Sequence, residues 1–99
     1  MEYVFHLEAL VEFKAEVAYY EDMQSGLGLA FADEVLRMVS LACLFPALGA
    51  PEESGVRSLV TKRFPFLIFY EVMDNKLWIW AVMHAARRPG YWKSRKPHE

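Results

Sequence analysis

The sequence predicts an α+β domain in which a helix pair packs on one face of a β-sheet. Helical periodicity runs from Glu8 to Phe45 with one interruption, "SGLG". One strand-like segment precedes it, and three strand-like segments follow a Pro/Gly loop. Helices and strands that are segregated along a chain are typical of two-layer α+β folds. We therefore expect the order β-α-α-β-β-β, an antiparallel sheet with a two-helix hairpin on one face, in a single domain spanning residues 1–99.

The first strand is expected at "EYVFHL", which is short, apolar and aromatic. The segment from Glu8 to Gln24 contains neither Gly nor Pro, and its apolar residues recur at helical spacing. These residues are Leu10, Phe13, Val17 and Tyr20. A polar ridge faces away from them, formed by Glu8, Glu12 and Glu16.

The second helix is expected from Leu29 to Phe45, after the glycine turn. Pro46 ends it, because proline lacks an amide hydrogen and disfavours helix in the residue before it. A tight turn between the helices predicts an antiparallel hairpin. Both helices are apolar around much of their circumference, which predicts that they are covered on more than one side.

Three strands are expected after the loop "PALGAPEESG", namely "VRSLVTKRF", "FLIFYEV" and "KLWIWAVMH". The last two join at "MDNK", where Asp74 and Asn75 tolerate the positive φ of a tight hairpin turn. Alternation predicts one shared side for Trp78, Trp80, Val82 and His84. The sheet face away from the helices could be left open. Because "RPG" cannot continue a regular strand, the chain must turn after the last strand, and such a turn can fold the terminal groups back over that face.

Composition excludes several classes of protein. Hydrophobic residues form 55% of the chain, which is incompatible with a disordered protein. No apolar run is long enough to span a bilayer, and the N-terminus has no basic segment of a signal peptide. Cys43 is the only cysteine, so no intrachain disulfide can form, and a reducing cytoplasm is the expected compartment. His and Cys are scattered without metal-site spacing, so neither a metal nor another cofactor is expected.

The net charge of −2 conceals an asymmetry. Residues 1–55 hold ten acidic against two basic residues, a balance of −8, and residues 56–99 hold nine basic against three acidic residues, a balance of +6. One interpretation is a basic face for a polyanion or an acidic partner; the other is that the two halves neutralise each other within the fold.

Most of that positive charge follows the last strand, in "HAARRPGYWKSRK". Histidine is the side chain that ordinarily exchanges protons near neutral pH, so His84 is a candidate general acid or base. Arginines such as Arg87 and Arg88 suit phosphate, because the guanidinium donates parallel hydrogen bonds. Tyr91 or Trp92 can stack on a nucleobase. Further cations, on or after the neighbouring strand, are expected to join the same field: Arg57, Lys62 and Arg63.

A structural interpretation of these residues stands beside the chemical one. A single His at a strand end is most often hydrogen-bonded structure, and Tyr91 and Trp92 often cap a core. One of the paired arginines can neutralise a carboxylate of the acidic half. The residues alone leave both interpretations open.

Four stretches, taken together and in order, resemble the RelE/ParE family of bacterial toxins. They are "AEVAYYEDMQSGLGLAF", "FPALGAPEESGVRSLV", "KRFPFLIFYEV" and "IWAVMHAARRPGYWKSR". The resemblance implies a cytoplasmic growth inhibitor, linked to plasmid stabilisation, that a cognate antitoxin protein holds inactive in a hetero-oligomer. "RFPFLIFY" looks more like ParE members, which poison DNA gyrase, than like RelE members, which cleave messenger RNA on the ribosome.

Residue roles follow from the resemblance together with the chemistry above. Catalytic candidates are Arg57, Arg63, His84, Arg87 and Tyr91. Target-binding candidates are Lys62, Arg88, Trp92 and Arg95. We expect these groups to meet at one rim of the sheet. A ParE-like action on gyrase is the preferred hypothesis, because a ribosome-directed nuclease is expected to be more basic. The alternatives are a RelE-like endoribonuclease and a non-toxic remnant that only binds an antitoxin.

Overall fold

The computed structural model describes residues 1–87 and 90–97. Its main elements are two long helices, α1 and α2, and five strands, β1 to β5. In chain order they are β1 (Tyr3–Phe5), α1 (Leu7–Met23), α2 (Leu27–Leu44), β2 (Ala50–Pro51), β3 (Arg57–Val60), β4 (Phe66–Met73) and β5 (Lys76–His84). Short 3₁₀ turns lie at Glu53–Gly55 and Lys93–Arg95.

The strands form one sheet in the order β1-β5-β4-β3-β2. Neighbours from β2 to β5 pair antiparallel, as expected, whereas β1 pairs parallel to β5. The sheet is therefore mixed, and the expectation of an all-antiparallel sheet was wrong for its first strand. The strand directions account for this: β2 runs opposite to β1, and the three reversals from β2 to β5 leave β5 parallel to β1. The two-residue strand β2 was also missed, because two residues carry no periodicity.

The helix hairpin matches its prediction closely, with α1 and α2 beginning one and two residues earlier than expected. Its turn is held by Glu21, whose carboxylate accepts hydrogen bonds from the backbone nitrogens of Gly26 (2.9 Å) and Gly28 (3.0 Å). A Cβ atom on Gly28 would lie 2.4 Å from the carbonyl oxygen of Val17. Glycine at this position is thus what lets the two helices cross so closely.

The main core lies between the helices and the sheet. Its centre is a group of aromatic rings around Phe31, which lies 4.8 Å from Phe66 and 5.3 Å from Phe64, measured between ring centroids. Apolar residues of all the long elements surround them, including Val35 and Ile79, both fully buried. This packing fixes the orientation of the sheet that carries the candidate residues.

A bulge in β5 overturns the predicted alternation. Phe69 pairs with Ala81 but Tyr70 pairs with Ile79, so Trp80 is an extra residue. Trp78 and Trp80 therefore face away from the helices, whereas Val82 belongs to the helix-side core. His84 follows Val82 in register and lies against the helix-side residue Phe66. The prediction of one shared side for these four residues was wrong, because a bulge inverts the sides after it.

The second face of the sheet is covered by the chain that follows β5, which is the arrangement that a turn after the last strand allowed. The chain after β5 crosses it, and Trp92 stacks on Phe69 with 5.0 Å between ring centroids. Trp92 is only 3% exposed and packs in a second core whose buried members also include Val56, Phe69, Trp80, Ala81 and Met83. The terminal segment is thus part of the fold.

The β4–β5 hairpin has the predicted turn, with positive φ at both Asp74 (52°) and Asn75 (59°). Among the described residues, neither helix has the length and hydropathy of a bilayer-spanning segment.

Candidate functional site

The terminal segment is fastened to α1 by Arg95. Its guanidinium donates to both carboxylate oxygens of Glu12 (2.9 and 2.8 Å), to Glu8 (3.0 Å) and to the carbonyl of Trp80 (2.9 Å). The Arg95 side chain is 8% exposed. β1 pairs with β5 only as far as Ile79, so Arg95 satisfies a carbonyl just beyond the paired edge. Arg95, expected to bind a target, is here an internal anchor.

Glu12 is the centre of a small charged cluster with Tyr91, Arg87 and Arg95. Burial alone would raise the pKa of Glu12, but hydrogen bonding to Arg95 and the nearby cations lower it overall. The Arg87 guanidinium lies over the Tyr91 ring, 3.7 Å from its centroid, and 3.4 Å from Glu12. Burial, followed by the adjacent Glu12 carboxylate, raises the pKa of Tyr91 far above its usual value. The buried Tyr91 hydroxyl has no hydrogen-bond partner of good geometry within residues 1–87 and 90–97.

Two lysines fasten the same segment to the rest of the fold. Lys93 pairs with Glu53, and Lys96 pairs with Glu71 at 3.0 Å. Lys96 also donates to the carbonyl of Ser54 (3.1 Å). Most cations of the described tail are therefore neutralised internally, largely by the acidic first half. For this segment the structure favours the second interpretation of the charge asymmetry.

His84, Lys62 and Arg63 lie together at one end of the sheet. Phe66, the first residue of β4, pairs with His84, the last residue of β5. His84 Nδ1 accepts a hydrogen bond from the backbone nitrogen of Ala86 (3.0 Å). Lys62, Arg63 and His84 are all exposed. The ring of His84 thus has a local structural role while its edge faces solvent.

Arg57 lies elsewhere, at the start of β3. Its guanidinium donates to the carbonyls of Gly49 (2.8 Å) and Ala47 (3.5 Å) in the loop after α2. Tyr70 holds the same loop, donating to the Pro46 carbonyl (2.8 Å) and accepting from Gly49 (2.9 Å). Val60, at the other end of β3, lies three residue steps from Arg57, which is roughly 10 Å at strand spacing.

The structure therefore divides the candidates instead of gathering them at one rim. Arg87, Tyr91 and Arg95 meet at α1, Lys62, Arg63 and His84 at the sheet end, and Trp92 lies in the second core. Arg57 belongs to the loop after α2. Arg88 lies outside the described residues. The expectation of a single shared surface was wrong, because Trp92 packs the tail on the second face of the sheet and Arg95 fastens it to Glu12, while Arg57 is held by the loop after α2. The catalytic and target-binding roles stay predictions.

The sequence anticipated that one of the paired arginines could neutralise a carboxylate of the acidic half, as Arg87 does at Glu12, but it missed the partners of Arg95. Glu8 and Glu12 were assigned to a polar ridge that faces away from the apolar stripe of α1, and both contact Arg95. The near balance of the acidic and basic halves indicated that ion pairs could form between them. Which residues pair depends on where the chain leads after β5. "RPG" predicts a turn, but no sequence pattern determines where the chain leads after it.

Apolar side chains remain exposed on the helices. Leu7 (74% exposed) and Val11 lie one turn apart on α1, and Leu44 (70% exposed) and Phe45 lie at the end of α2. The helices were expected to be covered on more than one side. In the part of the chain that the structure describes, these four side chains are left uncovered, and the surface that they form is apolar.

Comparison with known proteins agrees with this architecture. The family profile described as "ParE toxin of type II toxin-antitoxin system, parDE" matches residues 3–89. Among solved structures, a chain from "Chromosomal ParDE TA system from P. aeruginosa" superposes with a TM-score of 0.73 at 20% sequence identity, covering 85% of this chain and 95% of that one. No curated protein matches the sequence significantly. The chain belongs to the ParE toxin family of type II toxin–antitoxin systems.

Proposed function

We propose that this toxin inhibits growth by acting on DNA gyrase in the cytoplasm, and that a cognate antitoxin neutralises it. Membership of the ParE family is the observation that carries the proposal. Where the two genes lie on a plasmid, such a pair would stabilise it.

The chemistry of the described residues supports contact with a protein over cleavage of RNA. Cleavage by a 2′-hydroxyl needs a base, an acid and phosphate donors around one phosphorus atom. The Tyr91 hydroxyl is buried, and Arg87 is paired with Glu12, so neither is presented freely to a phosphate. Arg57 is held in a different place. A net charge of −2 also gives little drive for binding the ribosome.

The exposed apolar residues of the helices support an antitoxin partner. Leu7 and Val11 lie one turn apart on α1, so both can contact one apolar stripe of a partner segment. Leu44 and Phe45 add exposed apolar side chains at the end of α2. Large apolar side chains exposed on a small domain are a common mark of an interaction site. An amphipathic helical or extended segment is the expected occupant.

A supercoiling assay with purified gyrase tests the target. The wild-type chain, added in excess, is expected to stop the conversion of relaxed plasmid to supercoiled plasmid. Topoisomerase I relaxation of the same plasmid serves as the control and is expected to be unaffected. Undisturbed supercoiling at excess toxin would refute the gyrase target.

Two further observations separate the alternatives. Cleaved transcripts in cells that express the wild-type chain would favour the endoribonuclease. Harmless overexpression without any antitoxin would favour the remnant that only binds a partner.

A further inference from the structure

We infer that the toxin contacts its target through the exposed end of the sheet, and that the partner surface is an acidic patch on a protein. This sheet-end patch consists of Val60, Lys62, Arg63, Pro65 and His84. The inference rests on the proposed function and adds the surface that performs it. It moves the contact away from the terminal segment, where the sequence alone had placed most of the target-binding residues.

The charges of the patch are uncompensated, unlike those of the tail. In the described part of the chain, no carboxylate oxygen lies within 4.0 Å of a side-chain nitrogen of Lys62 or Arg63. Arg87, Lys93, Arg95 and Lys96 each have such a partner. A partner acidic group would therefore meet free cations at the sheet end, whereas at the tail it would have to displace an existing carboxylate.

The turn that carries these cations is held rigidly. Glu34, a buried carboxylate on α2, accepts hydrogen bonds from the backbone nitrogen of Arg63 (3.0 and 3.3 Å). The Thr61 hydroxyl bonds to the backbone of Phe64 and Phe66 across the turn. A turn fixed by buried polar groups loses little entropy when it docks, which favours binding by its exposed side chains.

The chain after β5 extends the same rigid support. The backbone nitrogen of Ala85 donates to the carbonyl of Pro65 (2.7 Å), joining the end of β5 to the turn. The Arg63 guanidinium lies 5.3 Å from the Phe64 ring centroid, and the His84 ring lies 5.3 Å from that of Phe66. Both aromatic rings are anchored in the main core. Arg63 and His84 thus pack against rings of the main core and are still exposed to solvent.

The mixture of residue types favours a protein over a nucleic acid. Val60, 64% exposed, and the exposed Pro65 lie among the cations. Apolar groups interspersed with arginine are typical of protein interfaces, whereas nucleic-acid surfaces are strongly and continuously basic. A protein with net charge −2 and two lysine or arginine side chains in this patch fits the former.

The test is a gyrase supercoiling titration with a double charge reversal, Lys62→Glu/Arg63→Glu. The control is Lys14→Glu/Lys76→Glu, which makes the same change of charge at two exposed cations on α1 and at the opposite end of the sheet. The patch variant is expected to need at least about tenfold more protein for half-inhibition, because like charges brought together at an interface are strongly unfavourable. The control is expected to stay within about twofold of wild type. Circular dichroism melting checks that both variants fold.

Each outcome decides between distinct possibilities. Wild-type inhibition that the patch variant fully retains, or that the control loses equally, overturns the inference and leaves the gyrase proposal standing. Absence of wild-type inhibition refutes the gyrase proposal; growth arrest in cells that the patch variant alone loses would then uphold the patch with a different target. Patch-dependent binding of wild-type toxin to plasmid DNA or to RNA without gyrase would overturn the protein partner.

Discussion

Replacing Arg95 by Met should destabilise the fold strongly, because Arg95 joins the terminal segment to α1 and to β5. The substitution keeps an apolar stem but removes all four hydrogen bonds of the guanidinium. Removing one member of a buried ion pair costs about 3–5 kcal/mol. Glu12 keeps Arg87 at 3.4 Å, and the contact with the exposed Glu8 adds little. We therefore expect the lower end of that range, about 3 kcal/mol.

Urea and thermal denaturation, followed by tryptophan fluorescence and circular dichroism, measure this loss. For a domain of this size, 3 kcal/mol corresponds to a fall in Tm of roughly 12–24 °C. Lys93→Met is the matched control, because it lies in the same segment and also removes an ion pair. Both members of that pair, Lys93 and Glu53, are exposed, so the melting curve of Lys93→Met should overlay that of wild type. Equal stability of Arg95→Met and Lys93→Met would refute the view that the segment is anchored by Arg95.

Three further predictions concern stability. The pKa of Glu12 is lowered in the folded chain, so its contribution to the free energy of unfolding is present above its ordinary pKa of 4.5 and is lost as the pH falls through the folded value. Glu12→Gln should therefore be less stable than wild type at pH 7. The free energy of unfolding of this variant should also depend less on pH between roughly pH 5 and pH 3. Trp92→Ala should cost about 3–5 kcal/mol in urea denaturation, and Trp92→Phe clearly less, since the buried indole nitrogen has no partner among the described residues. Gly28→Ala should cost about 3 kcal/mol or more, because its Cβ would lie 2.4 Å from a backbone oxygen of α1, whereas Gly26→Ala, with open space but a φ of +87°, should cost about 1 kcal/mol; equal effects would contradict the close helix crossing.

The sequence was sufficient for the elements whose signals are local. Helical spacing and the glycine turn located α1 and α2 to within two residues, and "MDNK" identified a hairpin with positive φ at both central residues. These features depend on neighbours in the chain, so a pattern can predict them. The family followed from four ordered stretches and is confirmed by the family match.

Features that depend on distant contacts escaped prediction. The bulge at Trp80 inverts the side of each later residue of β5, and nothing in the alternation of "KLWIWAVMH" indicates it. The path of the tail decides whether Arg95 meets a target or Glu12, and that path is set by Trp92 packing on the second face of the sheet. Charge pairs between residues 83 positions apart are fixed only once the fold is known.

The most direct test of the account is the order in which synthesis stops after the toxin alone is induced in growing cells. Pulse labelling of DNA and of protein in the same culture gives that order. Action on gyrase predicts that DNA synthesis falls first while transcripts stay intact. An earlier fall in protein synthesis, with cleaved transcripts, would contradict it.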